Sequence, residues 1–183
     1  MEDKIYKLYR TTDPAGKIYF GITGQSLLST RVQNGRHYEN NKYITQAYVD
    51  YPGEMKTDII GEYNTADEAL IEESFAIVMN KTFMRECGHN IQTGKSMMKR
   101  RFPRGYIHKE TNQFFFTLDD AAEEFNISSQ CISIAIRQGR ACKCGEFVPA
   151  YFDCVKQEPV SDEMFERLDK YWQIIKEYSK TQK

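Results

Sequence analysis

IYKLYRTT (Ile5–Thr12), DPAGK (Asp13–Lys17) and IYFGIT (Ile18–Thr23) follow one another without interruption. The two outer stretches are rich in β-branched and aromatic residues, the types that fit a pleated, half-buried surface. The middle stretch places Pro14 and Gly16 in a loop of five residues, where proline presets φ and glycine supplies the reversed backbone. The reading is a β-hairpin. Working outward, Ser26–Asn34 reads as a short helix with Ser26 as its cap and Gly35 as its stop. Tyr43–Tyr51 reads as a second helix, ended by Pro52 and Gly53, and Lys56–Tyr63 as a third strand. Thr65 opens the clearest helix: Thr65 and Glu68 stand at capping-box spacing, and Ala69, Leu70, Phe75, Ala76, Val78 and Met79 supply apolar surface. Glu72 and Glu73 sit in the middle of it.

The composition then changes. Between Lys95 and Lys109 the chain carries Lys95, Lys99, Arg100, Arg101, Arg104 and Lys109 and no acid, with Phe102, Pro103 and Gly105 breaking any periodicity. This reads as a basic linker. Beyond it, Tyr106–His108 and Phe114–Phe116 pair as a second hairpin. Thr117 caps a helix, LDDAAEEF, with acids in its first turn as the helix dipole prefers. Ser128 or Ser129 caps the next helix, which runs to Gly139, so two short helices joined by about three residues give a helix-turn-helix pattern. Phe147–Phe152 reads as an edge strand broken by Pro149. Asp162–Tyr178 reads as an amphipathic helix, with Phe165, Leu168, Trp172 and Ile175 at helical spacing. The expected fold class is α+β. A small antiparallel or mixed sheet with flanking helices occupies residues 1–94. A linker covers 95–105, and a helix-turn-helix-like module with a C-terminal helix covers 106–183.

The chain of 183 residues is 40% hydrophobic and 28% charged, which fits a folded protein rather than a disordered one. Its formal net charge of -1 gives no global argument for nucleic-acid binding, so that reading rests on local patches. No apolar run approaches the roughly 20 residues of a membrane span, and MEDKIYKLYR does not read as a secretory signal. Five cysteines in such a chain suggest reduced thiols and a cytoplasmic location. Cys142 and Cys144 are separated by one residue, not the two to four of zinc knuckles, so they read as thiols rather than as a zinc site.

The hairpin and the helix bearing Glu73 resemble the GIY-YIG nuclease family over about residues 4–94. Ile5-Tyr6 stands at the first motif, with Lys4 in place of its Gly. Tyr19-Phe20-Gly21 stands at the second, with Phe20 in place of Ile. Arg31 follows in the next helix, with Arg36 as the alternative. His37 or Tyr38 follows that, then Glu73, with Glu72 as its competitor, and Asn90 in Gly88-His89-Asn90. The resemblance implies hydrolysis of a DNA phosphodiester, by a homing or phage-type endonuclease. Tyr6 and Tyr19 would face one another near the attacking water. A free phenol has a pKa of about 10, so it needs nearby positive charge or metal to act as base. Arg31 would hold the phosphate through its forked donors, and His37 would relay a proton. Glu73 would ligate one hard divalent cation, Mg2+ or Mn2+, and Asn90 would support the site. Tyr6, Tyr19, Arg31 and Glu73 are expected to converge on one concave face.

FTLDDAAEEFNISSQCISIAIRQG (Phe116–Gly139), within about residues 106–154, resembles the small modular DNA-binding domains appended to homing endonucleases. The implied partner is double-stranded DNA, with Ser129, Gln130, Ser133 and Arg137 reaching into the major groove and Lys99, Arg100, Arg101 and Arg104 tracking phosphates. One active site cuts one strand at a time, so a double-strand break implies a homodimer or two events. A restriction or repair nuclease and a non-cutting, sequence-specific DNA-binding regulator are the alternatives.

Overall fold

A computed structural model describes residues 4–25, 38 and 40–181. The short helix expected over Ser26–Asn34 lies outside the described residues. The fold is α+β. The chain divides into two compact units, residues 1–95 with 170–183, and residues 96–169.

The first unit is built on an antiparallel sheet of β1 (Tyr6–Thr12), β2 (Ile18–Thr23) and β3 (Lys56–Tyr63), ordered β2-β1-β3. The expected hairpin forms, and Asp13 organises its turn. The Asp13 amide donates to Lys17 O at 3.0 Å, and its carboxylate accepts from the Lys17 amide at 2.8 Å. Gly16 takes φ 84°, a backbone region that side chains disfavour. Helix α1 (Lys42–Asp50) starts at Asn41, whose side chain accepts from the amides of Tyr43 and Ile44. Helix α2 (Ala66–Met79) starts with the expected capping box: Thr65 and Glu68 each satisfy the other's backbone amide. It packs on all three strands. Tyr9, Tyr38 and Ile44 form a buried cluster, with Tyr19, Tyr48 and Met55 against it.

The second unit does not open on a linker. Lys95–Arg101 is a helix, α3, and Arg104 already begins β4 (Arg104–His108). The basic composition hides an apolar pair one turn apart: Met98 and Phe102 are both buried, and the Phe102 amide donates to Met98 O at 2.9 Å. Strands β4, β5 (Gln113–Phe115), β6 (Phe147–Asp153) and β7 (Glu158–Pro159) make an antiparallel sheet ordered β5-β4-β6-β7. The expected break at Pro149 is absent, because β7 pairs only with Phe152 and Asp153. At Pro149, β6 is still an edge, where a missing amide leaves no ladder bond unmade.

Helices α4 (Leu118–Glu124) and α5 (Ser129–Gln138) cover one face of this sheet. Their core is Phe115, Ala121, Ile132 and Phe147. Thr117 and Asp120 form a second capping box, Ser128 caps α5, and Gly139 ends it at φ 60°. The last helix, α6 (Asp162–Thr181), has residues 162–169 in the second unit and 170–181 in the first. Among the described residues no helix is long and apolar enough to cross a membrane.

Candidate active site and nucleic-acid interface

The hairpin register decides which tyrosines meet. Tyr9 pairs with Gly21 and Thr11 with Tyr19. Paired residues share a face and successive residues alternate, so Tyr9 and Tyr19 lie on one face and Tyr6 on the other. The expectation that Tyr6 and Tyr19 face one another is therefore not met, and with it falls the expected convergence of Tyr6, Tyr19, Arg31 and Glu73 on one concave face. Tyr6 instead lines a shallow cleft with Lys4, Asn64, Thr65 and Ala66, and the Lys4 ammonium sits 5.2 Å from its ring centre.

Tyr9 occupies the place that the sequence reading gave to Tyr6. Its ring lies 6.3 Å from Tyr19, whose ring meets Tyr38 edge-on at 5.1 Å. The Tyr38 hydroxyl donates to the Tyr9 hydroxyl at 3.1 Å. Tyr48 stacks on the far side of Tyr38 at 5.8 Å. Burial, and then the phenols of Tyr9, Tyr48 and Tyr19, push the Tyr38 pKa far above the ordinary phenol range, so Tyr38 stays a donor. Gly21 makes the arrangement possible, because a Cβ there would stand 2.5 Å from the Tyr9 hydroxyl and 2.9 Å from the Tyr19 ring. Of the two residues considered after the arginine, Tyr38 joins this cluster. Arg31, Arg36 and His37 lie outside the described residues.

Asn90 fastens the site's edge strand. Its side chain accepts from the Phe20 amide at 3.0 Å and donates to the Phe20 carbonyl at 2.8 Å, acting as a one-residue strand partner beside Tyr19. The Thr82 hydroxyl donates to Asn90 Oδ1 at 2.8 Å. Next to it, the buried His89 ring bonds the Asp13 carboxylate at 2.9 Å, tying the chain after α2 to the hairpin turn.

Glu72 and Glu73 are both half-buried on α2 and differ in the rows they belong to. Glu73 lies on the row Ala69–Glu73–Ile77, whose outer members are buried, whereas Glu72 lies on the row Glu68–Glu72–Ala76, which opens to an exposed Glu68. Glu73 thus stands at the margin of the buried sector, and Glu72 one position further from its buried neighbours. Among the described residues no group of three or more His, Cys, Asp or Glu side chains is placed to hold a metal ion.

In the second unit, Gln130, Ser133 and Arg137 share the face of α5 opposite the buried Ile132 and Ala135. Ser129 turns partly toward the core side. Lys99 and Arg100 are exposed in the last turn of α3. Arg101, expected to track phosphates, is committed elsewhere: its Nε lies 2.8 Å from the Asp153 carboxylate, and both side chains are largely buried. Arg104 is exposed, 3.9 Å from Asp169, with its guanidinium over the Tyr151 ring.

Tyr9 is the residue that sequence reasoning missed, and a signal for it exists. A loop confined to residues 13–17 pairs Thr12 with Ile18, which puts the odd-numbered residues of both strands on one face. Comparison of the chain with protein-family models, with curated proteins and with solved structures finds no match.

Proposed function

We propose that the chain is a metal-dependent DNA endonuclease of the GIY-YIG type, of the homing or phage kind, acting on double-stranded DNA in the cytoplasm. The observation that carries the reading is the phenol cluster of Tyr9, Tyr19 and Tyr38 on one face of the hairpin, made possible by Gly21 and buttressed by Asn90. Tyr19, half-buried at the edge of this cluster, orients the attacking water and takes its proton. Tyr38 holds Tyr9 by donation, which fixes the ring against which Tyr19 packs. Arg31 binds the scissile phosphate, and His37 remains the second residue for proton transfer. A single carboxylate, Glu73, at the margin of the buried sector fits a hard cation that keeps most of its water, so Glu73 would hold Mg2+ or Mn2+. Such an ion, when bound, supplies charge neutralisation on the phosphoryl oxygens. Gln130, Ser133 and Arg137 read base edges, while Lys99, Arg100 and Arg104 contact phosphates. A homodimer would supply the second cut of a double-strand break.

The test is incubation of the full chain with supercoiled DNA and Mg2+ or Mn2+. Nicked or linear product that disappears in Glu73→Ala and in Tyr19→Phe supports the reading. A second reading, a DNA-binding regulator that does not cut, draws on the burial of Tyr9 at 0% and Tyr38 at 3% exposure, with the two hydroxyls bonded to each other. Retention of duplex DNA without any cleavage by the wild type would favour it. A failure to bind DNA even at low salt would remove both.

A further inference from the structure

Cys142-Lys143-Cys144-Gly145 forms a tight reversal between α5 and β6. The Cys142 amide donates to Gly145 O at 2.8 Å and the Gly145 amide returns a bond to Cys142 O at 3.2 Å. Gly145 takes φ 135° there, and its missing side chain leaves room for His108 and Glu110, whose atoms would lie 2.3 and 2.4 Å from a Cβ. His108 Nε2 donates to Cys144 O at 2.8 Å, and Glu110 accepts from the Glu146 amide at 3.0 Å. The turn is thus clamped from several sides. Within it, the sulfurs of Cys142 and Cys144 stand 3.2 Å apart.

Both thiols are half-buried against the core of this unit, and Cys142 is the one that faces a cleft. Cys142 lines an open cleft of about 430 Å³ together with the exposed Cys131 and with Ile134, Ala135, Arg140 and Lys143. The charged side chains on that lining are both cations. An approaching anionic reagent would be favoured by them. Cys144 is not part of that lining.

We propose that Cys142 and Cys144 form a thiol–disulfide exchange site that takes low-molecular-weight, anionic disulfides of the glutathione type. The Cys142 thiolate attacks one sulfur of the reagent disulfide. That S–S bond breaks, a Cys142–glutathione bond forms, and one glutathione thiolate leaves and picks up a proton. Cys144, having lost its proton to solvent, then attacks Cys142 Sγ. The mixed disulfide breaks, the Cys142–Cys144 disulfide forms, and the second glutathione leaves. Two protein thiols are oxidised and one glutathione disulfide is reduced to two thiols. Partial burial, and then the neighbouring Cys142 thiol, push the Cys144 pKa up to about 11. The resolving step therefore depends steeply on pH.

The full chain is incubated with oxidised glutathione, quenched with an alkylating agent and mapped by peptide mass spectrometry. The expected result is a Cys142–Cys144 peptide that has lost two hydrogens and carries no glutathione, with Cys87, Cys131 and Cys154 alkylated. Cys144→Ser stops at a glutathione adduct on Cys142, and Cys142→Ser gives neither product at that peptide. In the wild type the transient adduct disappears about tenfold faster per pH unit between pH 7 and 9, as the thiolate fraction rises. A stable adduct in the wild type, pairing of Cys142 with Cys131 or Cys154, or alkylation of both Cys142 and Cys144 after prolonged incubation overturns the proposal. The wild-type map decides the question even where a serine variant folds poorly.

Discussion

The Asn90 side chain makes three hydrogen bonds beside the hairpin. It replaces a strand at the β2 edge, and its removal strands the Phe20 amide and carbonyl in a buried setting. Each unsatisfied buried group costs about 1–3 kcal/mol, so Asn90→Ala should lower the unfolding free energy by about 3 kcal/mol, read as a shift of the urea midpoint. Asn90→Asp should be similarly costly, because a carboxylate loses the donor that Phe20 O accepts from. The face assignment gives a sharper residue-scale prediction. Tyr19→Phe should slow DNA cleavage about 10²-fold while leaving the unfolding midpoint nearly unchanged. Tyr6→Phe should alter cleavage by less than about twofold, since Tyr6 lies on the other face. Equal losses for the two variants would undo the register argument.

At the scale of elements, α5 and α3 make opposite predictions for residues of the same charge. Arg137→Ala removes an exposed guanidinium on the outer face of α5 and should weaken specific DNA binding by about 1–3 kcal/mol without changing stability. Arg101→Ala removes the partner of a largely buried Asp153. Asp153 keeps the amides of Val155 and Lys156, so the loss of stability should fall near the low end for a broken buried pair, about 3 kcal/mol. Parallel fluorescence anisotropy and denaturant titrations separate the two roles. The elements themselves were largely legible. Caps announce helices locally: Thr65 and Thr117 cap where the sequence places them, and of the pair Ser128 and Ser129 it is Ser128 that caps. The hairpin and β3 were legible from β-branched and aromatic runs. What was not legible depended on partners. Tyr6 and Tyr9 look alike by residue type in a strand where the adjacent Leu8 and Tyr9 are both buried, and only the register set by the loop tells them apart. Lys95–Arg101 looks like a linker until Met98 finds a core. Among the candidate site residues, Tyr19 and Asn90 were legible, and the Glu73 choice needed the burial of its neighbours along α2.

At the scale of the whole molecule, the phenols couple folding to alkaline pH. The chain has twelve tyrosines, and burial raises the pKa of three well-placed ones: Tyr38 far upward, Tyr171 to about 12, and Tyr151 more modestly. A raised folded-state pKa means that the folded chain holds the proton more tightly than the unfolded one. The associated stability is fully present below the unfolded value of about 10 and is lost as pH rises through the folded value. Tyr38 and Tyr171 belong to the unit of residues 1–95 and 170–183, and Tyr151 to the other. The first unit should therefore lose more stability between pH 10 and 12. The single tryptophan, Trp172, is in that unit and reports on it. A spectrophotometric titration should show a first rise from readily ionised phenols with emission and far-UV circular dichroism unchanged. A second rise should coincide with a change in Trp172 emission. In Tyr171→Phe, a phenol is lost from the second rise, and the emission change should move to higher pH because one linked proton is gone. An emission change that stays in place, or phenols that all ionise in one step with the fold intact, would show that burial of these rings does not govern the alkaline limit.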